Sequence, residues 1–445
     1  MLEFFNLEEK NIKNFKVYFV DTVLNIDVAL NQRDEVCPHC GYTQYTIKEY
    51  VQKKLIHSTF TNQKCVINYR SRRYKCGLCA KTFYEHNPFV FNGMKLTMNT
   101  VYNVLSDLRN VNETFSSFAQ RYHLSTTSVI SIFDKYVDIS RGVLPEVLCI
   151  DEVYAFKSKN SKYVCVLLDF KTQEIIDLLP SRRKMDLSNY FYDIPKEECL
   201  RVKIVSMDMW HTYRDMTQVY FPNAVCAIDK FHIFQEFGRR LTKIRIKTMN
   251  KYENKGVKND PTLSQLEKSR IYQKEINYYL LKKFHWLLFK VRDDAPQPSG
   301  GRKYNKKLQG KYNLFELRQL MFDANPELLD AFNVHFLLHR FFQSSYEEAG
   351  VKFIELIEFF KKSQSIEIVD FVNTLLQWKK EIINSFIVIE GHGKVSNAII
   401  ENRNKAIKTI KRNSNGFVNW ERFSNRVMYV VNPNDTHYLY PIKKN

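Results

Sequence analysis

Long apolar runs are missing from this 445-residue sequence. None approaches the roughly 20 consecutive apolar residues that a bilayer-spanning helix needs, so no membrane association is expected. The opening MLEFFNLEEKNIKNF lacks the basic start, apolar middle and small-residue cleavage site of a secretory leader, which points to the cytoplasm. No convincing internal repeat is found, so a repeat architecture is not expected. Acidic residues are also in short supply: 48 Asp or Glu stand against 67 Lys or Arg, a formal charge of +19. That balance favours a polyanionic partner, because each cation placed on a phosphate releases a counterion. An AT-rich coding sequence would also raise Lys, Asn, Ile, Tyr and Phe, so the total alone decides little. The distribution decides more. Residues 230–311 hold 21 Lys or Arg against 7 Asp or Glu, most of the whole excess.

With 445 residues the chain exceeds what one core serves, and two to four units are expected. The nine cysteines fall into two groups. Cys149, Cys165, Cys199 and Cys226 sit singly in or beside apolar runs, as small buried hydrophobes do. The early group contains CPHC at 37–40 and CGLC at 76–79. Two such knuckles can aim Cys37, Cys40, Cys76 and Cys79 at one tetrahedral Zn²⁺. Disulfide pairing is the alternative, and a cytoplasmic chain disfavours it. Cys65, His39 and His57 are weaker rivals as ligands. Between the knuckles, residues 43–53 and 64–75 alternate imperfectly, as the strands of a zinc ribbon would.

Residues 97–137 read as helices, and TFSSFAQRYHLSTTSVISIFDKY has a helix-turn-helix pattern. Phe115, Phe118, Ala119, Tyr122, Leu124, Val129 and Ile132 supply its packed face. Ser125 is a natural N-cap, and Thr126, Thr127 and Ser128 would then enter the major groove. An ordinary helical pair is the alternative. From Val147 the texture becomes α/β. The runs VLCID, KYVCVLLDF and EIIDLLP suit an antiparallel meander, and VKIVSMD and NAVCAID alternate with helical stretches at 186–193 and 212–220. A mostly helical region follows to about residue 395, interrupted around 293–312 by a Pro, Gly and Lys-rich stretch expected to be a flexible basic loop.

Asp151, Asp208 and Asp229 each follow an apolar run, which places carboxylates at the rim of a sheet. Any one alone reads equally as a cap or turn residue. Phosphodiester chemistry with two divalent cations requires several carboxylates converging from separate parts of the chain. The best third acid is Glu401, on a helix expected from about 397 to 413, where Asn404, Lys405, Lys408 and Arg412 share its face. An exposed amphipathic helix with a Glu-to-Lys pair is the alternative.

Taken together, the two knuckles, the helix-turn-helix, IDE at 150–152, MDMWHTYRD at 207–215, FPNAVCAIDKFHIFQEF at 221–237 and IENRNKAIKTIKRNSNGF at 400–417 resemble bacterial insertion-sequence transposases of the ISL3 family. The resemblance covers almost the whole chain and implies a multidomain α/β protein with a ribonuclease-H-like catalytic core. It implies a DDE triad of Asp151, Asp208 and Glu401 holding two Mg²⁺ or Mn²⁺, besides one structural Zn²⁺. Asp229 and His232 resemble an acid-or-cysteine, two residues, histidine element that shapes the active site and contacts DNA. Glu152, beside the first acid, fits the family, although alternation points it away from the metals.

The expected units are a zinc ribbon (1–90), a helix-turn-helix domain (91–140), the first part of the core (145–232), a basic α-helical insertion (233–395), a core helix with Glu401 (396–430) and a tail (431–445). Expected partners are the double-stranded DNA of terminal inverted repeats and of a target, with nucleoid association when bound. Arg239, Arg240, Lys243, Arg245, Lys405, Lys408 and Arg412 would contact phosphates, and joining two ends implies a homodimer or higher oligomer. The rival readings are a non-catalytic zinc and helix-turn-helix regulator with a decayed nuclease-like domain, and a structure-selective nuclease or resolvase.

Overall fold

The structure, a computed structural model, describes residues 9–58, 63–91, 94–158, 161–253, 263–292 and 294–432. Most of the tail expected from 431 lies outside them. Among the described residues no helix is long and apolar enough to cross a membrane. The chain divides into two compact units: residues 1–141, 154–162 and 403–445 in one, and 142–153 and 163–402 in the other.

The first unit opens with a sheet the sequence reading placed only in part. β1 (Ile12–Val20) and β2 (Val23–Leu30) form an antiparallel hairpin ahead of the first knuckle, turning at Asp21 with φ 53°. Strands were expected at 43–53 and 64–75. β3 (Tyr45–His57) and β4 (Cys65–Cys76) occupy those positions and pair antiparallel, while β4 also runs parallel to β2. β5 (Thr82–Tyr84) closes against β4, so the order is β1-β2-β4-β3 with β5 off the path. Ile26, Val28, Leu55, Ile67 and Tyr69 alternate onto one buried face. Below β5, Glu85 receives the Tyr69 hydroxyl, the Arg72 amide and the Arg72 guanidinium at 2.6–2.8 Å, with both charged side chains only 5% exposed.

Three capped helices follow: α1 (Met98–Asp107), α2 (Phe115–Arg121) and α3 (Thr126–Tyr136). Thr114 and Ser117 cap α2 reciprocally, and the Ser125 hydroxyl accepts the Ser128 amide at 3.0 Å. The turn between them passes through His123 at φ 53°, a left-handed position. Phe118, Ala119, Tyr122, Val129 and Ile132 are buried together, with Phe115 and Leu124 partly buried against them.

In the second unit, β6 (Val147–Tyr154), β7 (Tyr163–Asp169) and β8 (Ile175–Leu179) precede α4 (Lys184–Tyr192) and α5 (Lys196–Arg201). β9 (Ile204–Met207), α6 (His211–Tyr220) and β10 (Val225–Ile228) complete a sheet ordered β10-β9-β6-β7-β8. β9 runs parallel to β6 and to β10, whereas β7 and β8 are antiparallel. Near-continuous apolar runs mark the parallel strands, whose successive residues are buried on both faces along most of their length.

The helical region begins with α7 (Lys230–Lys251), which buries Ile233, Phe237, Leu241, Ile244 and Thr248 at helical spacing. α8 (Gln265–Lys283) and a short 3₁₀ turn follow. Where a flexible loop was expected, β11 (Lys303–Asn305) and β12 (Gly310–Tyr312) form an antiparallel hairpin. Local side-chain bonds hold it, as composition alone does not foretell. α9 (Leu314–Ala324), α10 (Pro326–Phe341), α11 (Tyr346–Lys361), α12 (Ile366–Gln377) and α13 (Lys379–Asn384) pack one large core with α7 and the sheet. After the short pair β13 (Val388–Ile389) and β14 (Gly393–Lys394) comes α14 (Ala398–Asn413), close to its expected span.

The last helix, α15 (Trp420–Val431), belongs with α1–α3. Tyr429 donates to the Leu105 carbonyl at 2.8 Å, the Arg422 guanidinium meets Asp134 at 2.6 Å, and Arg426 reaches the Asn110 carbonyl at 3.0 Å. No sequence signal at 420–431 names that partner, because the contacts span some three hundred residues.

Candidate active site and cysteine cluster

The two knuckles have the same backbone. The amide of Cys37 donates to the Tyr42 carbonyl at 2.9 Å, and that of Cys76 to the Lys81 carbonyl at 3.0 Å. In each, the fourth residue after the first cysteine is left-handed: Gly41 at φ 75° and Ala80 at φ 58°. Glycine adopts this freely, whereas Ala80 carries some strain for it. The turns bring Cys37 Sγ to 3.7 Å from Cys79 Sγ and Cys40 Sγ to 3.5 Å from Cys76 Sγ, and all four sulfurs lie within 4.8 Å of one another. No disulfide has that length, whereas thiolates about 2.3 Å from a tetrahedral centre stand about 3.8 Å apart. Amides of Cys79 and Leu78 donate toward Cys76 and lower its pKa to about 6, while at Cys40 a backbone bond from Tyr42 is outweighed by desolvation and the other three thiols, which push it up to about 12, as sulfurs sharing one small site do. The donors fit one Zn²⁺.

The rival ligands are placed elsewhere. Cys65 is buried within β4, where burial pushes its thiol up to about 12. His57 is buried against the Thr97 hydroxyl at 3.0 Å, and burial lowers its pKa to about 4. His39 is exposed.

In the second unit, strand register gathers the acids. β6 pairs with β9 through Cys149↔Ser206, and β10 with β9 through Ile228↔Met207. All three strands are parallel, so their C-terminal ends share one edge. Two residues beyond the last β6–β9 pair stand Asp151 and Asp208, and Asp229 follows β10 as the first residue ahead of α7. Asp151 is still inside β6 rather than past its end. Side-chain atoms of Asp151, Asp208 and His232 lie within 4.8 Å of one another, and the His232 imidazole touches the Asp208 carboxylate. Burial alone would lower the His232 pKa, but Asp208, Asp229 and Asp151 outweigh it and hold the pKa above its usual value. Asp229 is buried beside this group, which raises its pKa, and its carboxylate accepts the Ser396 hydroxyl at 3.3 Å.

Glu152 turns away, as strand alternation requires. Its carboxylate meets the Arg182 guanidinium and accepts the Tyr213 hydroxyl at 3.2 Å. Arg182 lies over Trp210 at 5.0 Å and Tyr163 at 4.3 Å, a cationic platform two residues from Asp208 that the sequence reading missed. Its signal was weak: one of two adjacent arginines in SRRK and one aromatic after MDM.

Glu401 does not join the Asp151, Asp208 and His232 group. It is exposed in the first turn of α14, one turn beyond Asn397, whose carbonyl accepts the Glu401 amide at 3.2 Å. The Asn397 amide in turn donates to the Ile150 carbonyl at 3.3 Å, so the residue preceding Asp151 is tied to the helix that carries Glu401. Asn397 is a second residue the sequence reading missed. Asn404, expected on the same face as Glu401, is buried, because α14 turns Ile400, Asn404, Ile407 and Ile410 inward.

The residues expected on phosphates differ in what holds them. Thr126 and Thr127 are exposed and Ser128 half-buried at the start of α3, and Lys405, Lys408 and Arg412 are exposed on α14. Arg239 and Lys243 extend into solvent beside Glu236 and Glu367. Arg240 lies over Phe371 at 5.1 Å and donates to the Glu367 carbonyl at 3.0 Å, and Arg245 reaches the Leu281 carbonyl at 3.4 Å. Those two flank the buried stripe of α7, and their guanidinium groups bond to backbone carbonyls of α12 and α8.

A family model described as transposase, for ISL3-type DDE enzymes, matches residues 148–427. A transposase for insertion sequence element IS1001 from Bordetella parapertussis is 22% identical over 398 residues, covering 87% of this chain and 86% of that protein.

Proposed function

Because this chain belongs to the ISL3 family of transposases, we propose that it cleaves DNA at the terminal inverted repeats of an insertion sequence and joins the freed ends to target DNA. The observation that carries the reading is the convergence of Asp151 and Asp208 at the ends of adjacent parallel strands, with His232 against them. Strand order β10-β9-β6-β7-β8, antiparallel on one side and parallel on the other, supports a ribonuclease-H-like core with residues 233–395 as its insertion.

Asp151, Asp208 and Glu401 would hold Mg²⁺ or Mn²⁺, whose hard character suits carboxylate donors. When bound, such cations supply Lewis acidity at the scissile phosphate and favour deprotonation of the attacking group. The residues do the rest. Asp151 is fixed by the Glu152 amide at 2.7 Å, and Asp208 by His232, so neither carboxylate has to be ordered during reaction. The buried Asp229 adds to the negative charge that favours protonated His232. Hydrolysis at an element end frees a 3′-hydroxyl, which attacks a phosphodiester of the target in line. Exposed cations on α7 and α14 position the backbone, while the cysteine ribbon and α2–α3, read as a helix-turn-helix, recognise the repeats.

One observation favours a variant of this site. A ring nitrogen of His232 lies within 4.8 Å of a carboxylate oxygen of each aspartate, and Glu401 is not in that group. As a third ligand His232 would shift preference toward Mn²⁺ over Mg²⁺.

A joining assay tests the reading: full-length protein, a labelled inverted-repeat end and an unlabelled plasmid with Mn²⁺. The expected product is labelled end covalently joined to plasmid, lost with Asp208→Ala. Cutting without joining would assign a nuclease or resolvase instead, and binding without cutting a regulator.

A further inference from the structure

The hairpin β11–β12 stands out among the cavities of the second unit. With α8 and the start of α9 it encloses a cavity of ≈ 870 Å³, within the ~300–1,000 Å³ of sites that take organic ligands. Four rings line it, those of Tyr279, Phe284, Tyr304 and Tyr312. Lys283, Lys303, Lys306 and Lys307 line it as well, and none of its described lining residues is acidic. Lys307 is engaged by Glu275 at 2.8 Å. For Lys303 and Lys306 no acidic partner is found among the described residues.

This is a built site rather than a loop that happens to be basic. The Asn305 side-chain oxygen accepts the amides of Lys307 and Leu308 at 3.1 and 3.3 Å, closing the turn, and accepts the Tyr279 hydroxyl at 3.3 Å. Tyr272 donates to the Lys307 carbonyl at 3.2 Å. With the Lys307–Glu275 pair, the hairpin is thus tied to α8 at three points. Gly310 lets the Tyr312 ring fold back over the strand, since a Cβ there would lie 2.9 Å from a ring carbon. Tyr304 remains 64% exposed. Folding gains little from holding a large ring in water beside unpaired lysines.

Aromatic faces interleaved with lysines are what single-stranded nucleic acid binds, because every base has a π-face and every linkage a negative charge. We infer that this pocket takes one unstacked base of a DNA strand against Tyr304 and Tyr312, with Lys303 and Lys306 on the flanking phosphates. The inference rests on the reading of this chain as a DNA transposase. A free nucleotide shares the same chemistry, so the test separates the two.

Full-length protein without added Mg²⁺ or Mn²⁺ would be titrated with a labelled oligothymidylate of about 12 nucleotides, a duplex of equal length, and thymidine monophosphate as competitor. Tyr304→Ala should weaken oligonucleotide binding on the order of ten-fold without changing its salt dependence, and Tyr304→Phe should retain it. Lys306→Ala should reduce the slope of log affinity against log salt by about 0.7. Melting of the Tyr304→Ala protein should be unchanged, given that side chain's exposure. Equal affinity of Tyr304→Ala and the unaltered chain, or equal loss in Tyr304→Phe, overturns the inference. So does duplex binding without oligonucleotide binding, or full displacement by micromolar thymidine monophosphate. Leaving out Mg²⁺ and Mn²⁺ keeps strand joining out of the readout while the zinc stays bound, so a chain that binds the oligonucleotide through Tyr304 but joins no ends refutes the proposed activity and not the pocket.

Discussion

Removing Glu85 should unfasten the N-terminal sheet at the strand that leads into the second knuckle. Its carboxylate holds the Arg72 guanidinium, the Arg72 amide and the Tyr69 hydroxyl, all at 2.6–2.8 Å. Arg72 also gives a hydrogen to the Leu30 carbonyl, which ties β4 to the end of β2. Glu85→Ala leaves a guanidinium buried without its counter-charge, a change that costs about 3–5 kcal/mol. At about 1.4 kcal/mol per ten-fold, opening of β3 and β4 becomes roughly 100 to 4,000 times more frequent. Hydrogen exchange of peptides from 45–57 and 65–76 should accelerate by that factor while peptides of the second unit stay unchanged. Replacing the pair together, Arg72→Met with Glu85→Leu, should recover part of the loss, because no charge is then stranded although the Tyr69 hydroxyl and the Arg72 amide still lose their acceptor. Acceleration of less than about five-fold in the single variant, or a double variant as damaged as the single, would refute the reasoning.

Other outcomes follow from the same geometry. Cys79→Ser should drop bound zinc from one equivalent per chain toward zero and raise proteolysis in 35–85; unchanged zinc content would dismiss the four-cysteine site. Lys408→Ala should lower the salt slope of DNA binding by about 0.9 with stability intact. Arg245→Ala should instead lower thermal stability with little effect on that slope, and the reverse pattern would contradict the packing described for α7. Tyr429→Ala should destabilise α1–α3 by about 3–5 kcal/mol through the cavity it leaves, read as faster exchange in 98–107; protection equal to the unaltered protein would show that α15 does not hold them.

Much of this was legible in local signals. Paired knuckles fix four sulfurs because a metal turn has one backbone, and the caps Thr114 and Ser125 start helices because they satisfy exposed amides. Asp151, Asp208 and Asp229 could be read as neighbours because parallel strands end at a common edge. What escaped depends on contacts far apart in sequence or on single bonds. The β11–β12 hairpin hangs on Asn305 and two tyrosines of α8, inside a stretch whose Gly, Pro and Lys content reads as loop. The docking of α15 depends on Arg422, Arg426 and Tyr429 meeting partners some three hundred residues earlier. The side chain beside Asp208 was settled by the first turn of α7, which aims His232 back at it, and no spacing rule ranks that turn above Glu401.

Metal-dependent cleavage of a labelled inverted-repeat end by Asp151→Ala, beside the unaltered full-length protein in Mn²⁺, tests the central claim most directly. The account predicts a fall of about 10³-fold or more, as when preorganised charge stabilisation is removed from a reacting phosphate. Cleavage within a few-fold of the unaltered protein would contradict it.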